Sequence, residues 1–206
     1  MHPTTIDLLR HGEVQGGACF RGSQDDPLSD TGWRQMQHQT RHIDWDMIIS
    51  SPLQRCQNFA QELSRQQQIP LHIEAGLQEI NFGIWEGKTA AEIEQAFPDQ
   101  LQQYYDDPTH CPPACGESFS AFKKRVLQSW ESLLKTCSQQ HILIITHAGV
   151  IRLLFSHILG LEHQQSFQID VPTACLSRFS CFHTDKAPYI QLNFHKPCSS
   201  LISRQK

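Results

Sequence analysis

Two short segments constrain the fold of this chain more than any other part of it: Leu8-Leu9-Arg10-His11-Gly12-Glu13 and, 136 positions later, Ile144-Ile145-Thr146-His147-Ala148-Gly149. Each sets a histidine directly after an aliphatic run of the kind that forms a buried parallel strand, and in an α/β fold the ends of such strands open the ligand crevice. The pairing predicts a site with two histidines. Arg10 adds a fixed cation beside His11, and Arg55 adds another from Ser50-Ser51-Pro52-Leu53-Gln54-Arg55-Cys56. Guanidinium groups grip phosphate through paired hydrogen bonds, so the combination points to phosphoryl chemistry.

Between these segments strand-like and helix-like stretches alternate. Strands are expected at Thr4 to Leu9, Met47 to Ser50, Leu71 to Glu74 and His141 to Thr146. Helices are expected from Thr31 to His42, from Pro52 through Leu63, from Ala90 to Ala96, from Asp99 to Tyr105 and from Val150 to Leu159. The clearest helix carries Phe119, Phe122, Val126, Trp130, Leu133 and Cys137 at intervals of three and four, which makes one continuous apolar face. Gln78 to Lys88 has no clean period and two glycines, and reads as a functional loop. Two or three closing strands, near Ser166 to Asp170, Ala174 to His183 and Tyr189 to His195, finish the sheet, and the last ten residues are expected to be loose. This order predicts a three-layer α/β/α sandwich with a mostly parallel sheet. At 206 residues it is expected to be one domain spanning 1–206.

A formal charge of −4 gives no broad electropositive surface for nucleic acid or an anionic membrane, so an anion must be caught locally. Asp7, Arg10, His11 and Glu13 interrupt the first strand, so it does not read as a signal core, and no aliphatic run approaches a membrane span. The expectation is a soluble, cytoplasmic protein, monomer or homodimer. Eight scattered cysteines fit reduced thiols better than a disulfide framework. His110-Cys111 and Cys115 lack the paired spacing of a zinc site, and no metal or other cofactor is expected.

Five stretches taken together carry a resemblance. Arg10-His11-Gly12-Glu13, Ser51-Pro52-Leu53-Gln54-Arg55, Gln78-Glu79-Ile80-Asn81-Phe82-Gly83-Ile84-Trp85-Glu86-Gly87, Gly116-Glu117-Ser118-Phe119 and Thr146-His147-Ala148-Gly149-Val150-Ile151-Arg152 resemble, in order, the histidine phosphatase superfamily, with its phosphoglycerate mutase-like fold. The resemblance implies a phosphomonoester hydrolase that needs no metal and works through a phosphohistidine on His11. It implies that Arg10, Arg55 and His147 surround the phosphoryl oxygens, and that Glu79 is the proton donor to the leaving group and later the base for water. The loop Phe20 to Ser29 matches the family's substrate-facing stretch, so Arg21, Gly22 and Ser23 are candidate substrate contacts.

The family's usual Arg-His-Gly-Glu-Thr-x-x-Asn continues here as Val14-Gln15-Gly16-Gly17, so Gly17 replaces a phosphate-contacting asparagine and Gln15 or Ser23 is the candidate replacement. Phe59 stands where a threonine is common, which implies a packing role. Within the superfamily, the short length and the loop Cys19-Phe20-Arg21-Gly22 are most similar to the α-ribazole phosphatases, which implies α-ribazole 5′-phosphate as a small-molecule substrate. Alternatives are a phosphoglycerate mutase, a sugar-phosphate phosphatase and, in another class, a phosphoprotein-binding or regulatory module.

Overall fold

A computed structural model of the chain describes residues 3–184 and 188–198. Its centre is a six-stranded sheet built from β1 (Thr4–Arg10), β2 (Met47–Ser50), β3 (Leu71–Ile73), β4 (His141–Thr146), β5 (Leu176–Phe182) and β6 (Tyr189–Lys196), in the order β3-β2-β4-β1-β5-β6. β3, β2, β4 and β1 run parallel to their neighbours, and β5 and β6 add an antiparallel edge. The sheet is mostly parallel, as the alternating pattern predicts.

Both faces of the sheet are covered, because successive residues of a strand point to opposite sides. Ile6, Leu8, Ile49, Ile142 and Ile144 face α5 (Phe119–Thr136) and α6 (Ala148–Leu159), and pack with Phe122, Val126, Trp130, Val150, Ile151 and Leu154. Leu9, Ile48, Leu143 and Ile145 face the other way. They meet Met36 of α1 (Asp30–Thr40) and Cys56, Phe59, Ala60 and Leu63 of α2 (Gln54–Gln67). Phe59 packs on Trp33 with ring centroids 5.4 Å apart, which bears out its packing role.

Two elements differ from the sequence expectation. Pro52 does not open its helix: Leu53 is the N-cap and α2 starts at Gln54, so Arg55 sits in the first turn. Ser166 to Asp170 is not a strand. Glu162 and Gln165 form a reciprocal cap that winds His163–Ser166 into a short helix, here numbered α7, after α3 (Ala90–Ala96) and α4 (Gln100–Asp106). The functional loop is as expected apart from one 3-10 turn at Gly83–Trp85. The looseness expected of the last ten residues falls mostly on 199–206, which lie outside the described residues.

Parallel register sets up the site. Arg10 is paired with Thr146, and the His11 N–H donates to the Thr146 carbonyl at 2.9 Å, so His11 and His147 leave adjacent strands side by side.

Candidate active site

At the carboxyl end of the central strands lies a cavity of about 1150 Å³ whose wall includes Arg10, His11, Arg21, Gly22, Arg55, Glu79 and Arg152. His11 is almost fully buried at 6% exposure. Its Nδ1 lies 2.8 Å from the Gly12 carbonyl, which can only accept, so Nδ1 carries the proton and Nε2 keeps its lone pair. Burial, then the charges of Arg10 and Arg55, hold its pKa well below the ordinary imidazole range. The ring is therefore neutral at pH 7. The loop that carries it is pinned by close backbone packing, since a Cβ on Gly12 would overlap the backbone of Gly32 at the start of α1.

His147 is the N-cap of α6, and its ring centroid is 5.2 Å from that of His11. It is fully buried and does not itself line the cavity. Arg55 Nε donates to its Nδ1 at 3.3 Å, which leaves the proton on Nε2, 2.7 Å from the Ser51 hydroxyl. Burial, Arg55 and His11 keep this second imidazole neutral as well. Cys56 lies against it at 3.7 Å, with its thiol pushed up to about 12 by burial. That cysteine is a packing group and not a thiolate.

Arg55 is 1% exposed and holds the loop after β1, donating to the carbonyls of Gln24 at 2.6 Å and Gly22 at 2.7 Å. Arg10 donates from Nη1 to the Val171 carbonyl at 2.6 Å, while its Nε is buried without a partner among the described residues. Burial lowers its pKa to about 10, so it remains a cation at neutral pH. An unpaired buried guanidinium donor of this kind is costly unless an anion comes to it.

Glu79 reaches the same cavity from the loop after β3. Its Oε2 accepts from the Gly149 N–H at 3.0 Å and its Oε1 from the Ile80 N–H at 3.1 Å. The segment is fixed from behind by Arg125 of α5, which donates to the carbonyls of Gly76, Gln78 and Glu79 and makes two bonds to the Glu117 carboxylate.

Three candidates in the loop after β1 fare differently. Arg21 lines the cavity but is paired with Asp26 at 2.9 Å and donates to the carbonyls of Gln15 and Gly17. Gly22 also lines the cavity, with φ +51, and a Cβ there would overlap Glu86 and the backbone at Ile80 and Phe82. Ser23 is not part of the wall: its N–H and hydroxyl both donate to Glu86, which also accepts from Gln24 and Phe82 and so ties two loops together. Gln15 Nε2 donates to the Leu28 carbonyl. Of the two candidates for the asparagine missing at Gly17, Gln15 lines the cavity and Ser23 does not. His110 of the zinc-like segment pairs with Asp107 on the surface.

The sequence reading missed Arg125, Glu86 and Arg152 as parts of the site. Arg152 follows His147 by five residues on α6 and could have been found as the polar residue of a helix whose neighbours, Ile151 and Leu153, are buried. Arg125 and Glu86 act through long-range bonds that no local spacing reveals.

Imidazole, guanidinium and carboxylate groups converging on one strand edge, with a neutral histidine nitrogen free to attack, mark an enzyme of phosphoester chemistry. The chain belongs to the histidine phosphatase superfamily (branch 1), whose family model matches residues 6–192. The adenosylcobalamin/alpha-ribazole phosphatase of Escherichia coli (strain K12) is 30% identical over 175 residues, covering 82% of this chain and 86% of that protein. The crystal structure of the alpha-ribazole phosphatase from Shigella flexneri superposes with a TM-score of 0.77 at 27% identity, over 92% of this chain and 95% of that one. Phosphoserine phosphatase 1 of Hydrogenobacter thermophilus (strain DSM 6534 / IAM 12695 / TK-6) is 25% identical over 187 residues, 88% of this chain and 82% of that protein. The phosphatase expected from the sequence agrees with this membership. Among the described residues no helix is long and apolar enough to cross a membrane.

Proposed function

We propose that the chain hydrolyses a small phosphomonoester through a phosphohistidine on His11, with α-ribazole 5′-phosphate or the corresponding cobamide phosphate as substrate. The observation that carries this reading is the Nδ1 bond from His11 to the Gly12 carbonyl, which leaves Nε2 as a lone-pair nucleophile beside two arginines. In the first step the Nε2 lone pair forms the N–P bond while the P–O bond to the leaving alcohol breaks, and Glu79 protonates the departing oxygen. In the second step Glu79, now a carboxylate, takes a proton from water as its oxygen attacks phosphorus, and the N–P bond breaks to regenerate His11.

Arg10 and Arg55 compensate the charge that spreads over the phosphoryl oxygens, the work a metal ion does elsewhere. The unpaired Arg10 Nε is a ready donor to such an oxygen. The His147 Nε2–H, given to Ser51 in this structure, is the donor that a phosphoryl oxygen would take over. Arg21 and Gly22 bound the leaving-group side. The names of the Escherichia coli and Shigella relatives support the substrate. We also place the protein in the cytoplasm, as one folded domain, a reading that its eight free cysteines support.

The test has two parts. Rapid quench in alkaline detergent with phosphorus-labelled substrate should give label on the wild type that survives base and is lost in acid, and none on His11→Ala. Phosphate release should be faster from α-ribazole 5′-phosphate than from phosphoserine, ribose 5-phosphate or 3-phosphoglycerate. A wild type that turns over yet never carries label would sink the mechanism, and a preference for phosphoserine or the sugars would sink the substrate.

A further inference from the structure

The cavity is larger than a phosphoryl group needs, and away from His11 its wall changes character. Tyr104, Tyr105, Phe119, His163 and Phe167 line it, together with Arg152. The rings form one connected cluster. His163 lies on Phe119 with centroids 4.0 Å apart and meets Phe167 at 5.2 Å, while Phe167 meets Tyr105 edge-on at 5.1 Å.

His163 is the odd member of this cluster. Its ring packs like an aromatic residue, yet its Nδ1 is buried and has no hydrogen-bond partner among the described residues. Burial pushes its pKa down to about 4, so at neutral pH it brings one donor and one acceptor but no charge. A phenylalanine would give the same stacking without an unsatisfied polar atom. The position is rigid, because the reciprocal Glu162–Gln165 cap winds α7 and the Ser166 hydroxyl donates to the His163 carbonyl at 2.6 Å. α7 follows α6 directly through Gly160, at φ +67, so the helix that begins at His147 also delivers His163.

We propose that His163 is a specificity-determining residue, whose Nδ1 hydrogen-bonds a ring heteroatom of a flat heteroaromatic group that the alcohol part of the substrate stacks into this aromatic end of the cavity. The proposal rests on the phosphatase reading of the site. Stacking selects flatness, and the buried imidazole nitrogen selects a heteroatom over a hydrocarbon edge.

Three alkyl phosphates with matched leaving oxygens separate these terms: butyl phosphate, 2-(1-naphthyl)ethyl phosphate and 2-(benzimidazol-1-yl)ethyl phosphate. For the wild type kcat/KM should rise in that order, with about tenfold between the last two from one neutral hydrogen bond. His163→Phe should keep the advantage of naphthyl over butyl and lose the advantage of benzimidazolyl over naphthyl. Equal losses on all three esters would make His163 merely structural, and no aromatic preference in the wild type would remove the subsite, each while hydrolysis persists. If the wild type hydrolyses none of them, release of phosphate from α-ribazole 5′-phosphate under the same conditions decides the phosphatase reading separately. Binding of the phosphate-free 2-(benzimidazol-1-yl)ethanol, followed by intrinsic fluorescence, then decides the subsite: binding weakened about tenfold in His163→Phe upholds it, and no binding to the wild type overturns it.

Discussion

Glu79 and Gly149 meet so closely that position 149 has no room for a side chain: the Gly149 N–H donates to Glu79 Oε2 at 3.0 Å, and a Cβ at Gly149 would overlap Oε1. The glycine of the second histidine motif therefore has a role in the chemistry of a residue 70 positions away. It is the gap through which the Glu79 carboxylate reaches the cavity.

Gly149→Ala should leave the fold intact, since its φ is helical and alanine is a good helix former, while pushing the Glu79 carboxyl out of line. Losing a positioned general acid costs on the order of a hundredfold in rate. The loss should fall on alkyl phosphates, whose alkoxide must be protonated, and shrink below about tenfold for p-nitrophenyl phosphate, whose leaving group departs without help. Equal losses on both esters would show that the substitution had damaged something other than proton transfer.

Arg125 positions the same acid from the opposite side. It gathers three carbonyls and the Glu117 carboxylate with a planar fork that lysine cannot reproduce. Arg125→Lys and Arg125→Ala should both lower kcat on alkyl phosphates by roughly tenfold, a fraction of the full general-acid effect. Inhibition by inorganic phosphate, which reports the Arg10 and Arg55 end, should stay the same. Weakened phosphate inhibition would place Arg125 in the general architecture of the cavity instead of behind Glu79.

What the sequence disclosed and what it hid divide along physical lines. Ile142 to Ile145 and Leu8-Leu9 declare buried strands by composition, and their register alone brings His11 beside His147. Local chemistry was legible where a motif is continuous in the chain. Ser23 misled because its polar groups, which look available in sequence, are consumed by Glu86, 63 positions away. α7 misled for a related reason: Ser166 to Asp170 has no strong period, and the Glu162–Gln165 cap decides its conformation. The aromatic end of the cavity assembles from α4, α5 and α7, three stretches that only the fold makes neighbours.

Both site histidines should make the protein less stable in mild acid. Their folded pKa values lie below the unfolded imidazole value, so below about pH 6.5 the unfolded chain takes up protons that the folded one refuses. Stability should be level above that pH and decline as pH falls beneath it. Each such group contributes up to about 1.4 kcal/mol per pH unit. His11→Gln should make the decline between pH 6 and 5 shallower by about one proton, measured as urea unfolding free energy against pH. A slope unchanged from wild type would mean that His11 is protonated in the folded state and could not be the nucleophile as drawn.

A charged carboxylate buried in the sheet supplies the final test, at Asp7 on β1. It is fully buried, and burial alone would raise its pKa, but bonds from Arg178 at 2.7 and 2.8 Å, from His141 and from the Trp45 indole outweigh this and lower it. Arg178 stands opposite Asp7 on β5, so the ion pair joins the parallel part of the sheet to its antiparallel edge. Arg178→Met should strand the carboxylate and cost about 3 kcal/mol at pH 7, the size expected when one partner of a buried pair is removed. The sign with pH follows from the lowered pKa: the pair stabilises the fold above the unfolded carboxylate value of 3.8, and that stability disappears as pH falls through the lower folded value. Lowering the pH toward 3 should therefore narrow the gap between Arg178→Met and wild type, and Asp7→Asn combined with Arg178→Met should recover part of the loss at pH 7 in a double-mutant cycle. An Arg178→Met variant as stable as wild type at pH 7 would show that His141 and Trp45 hold the carboxylate without the guanidinium.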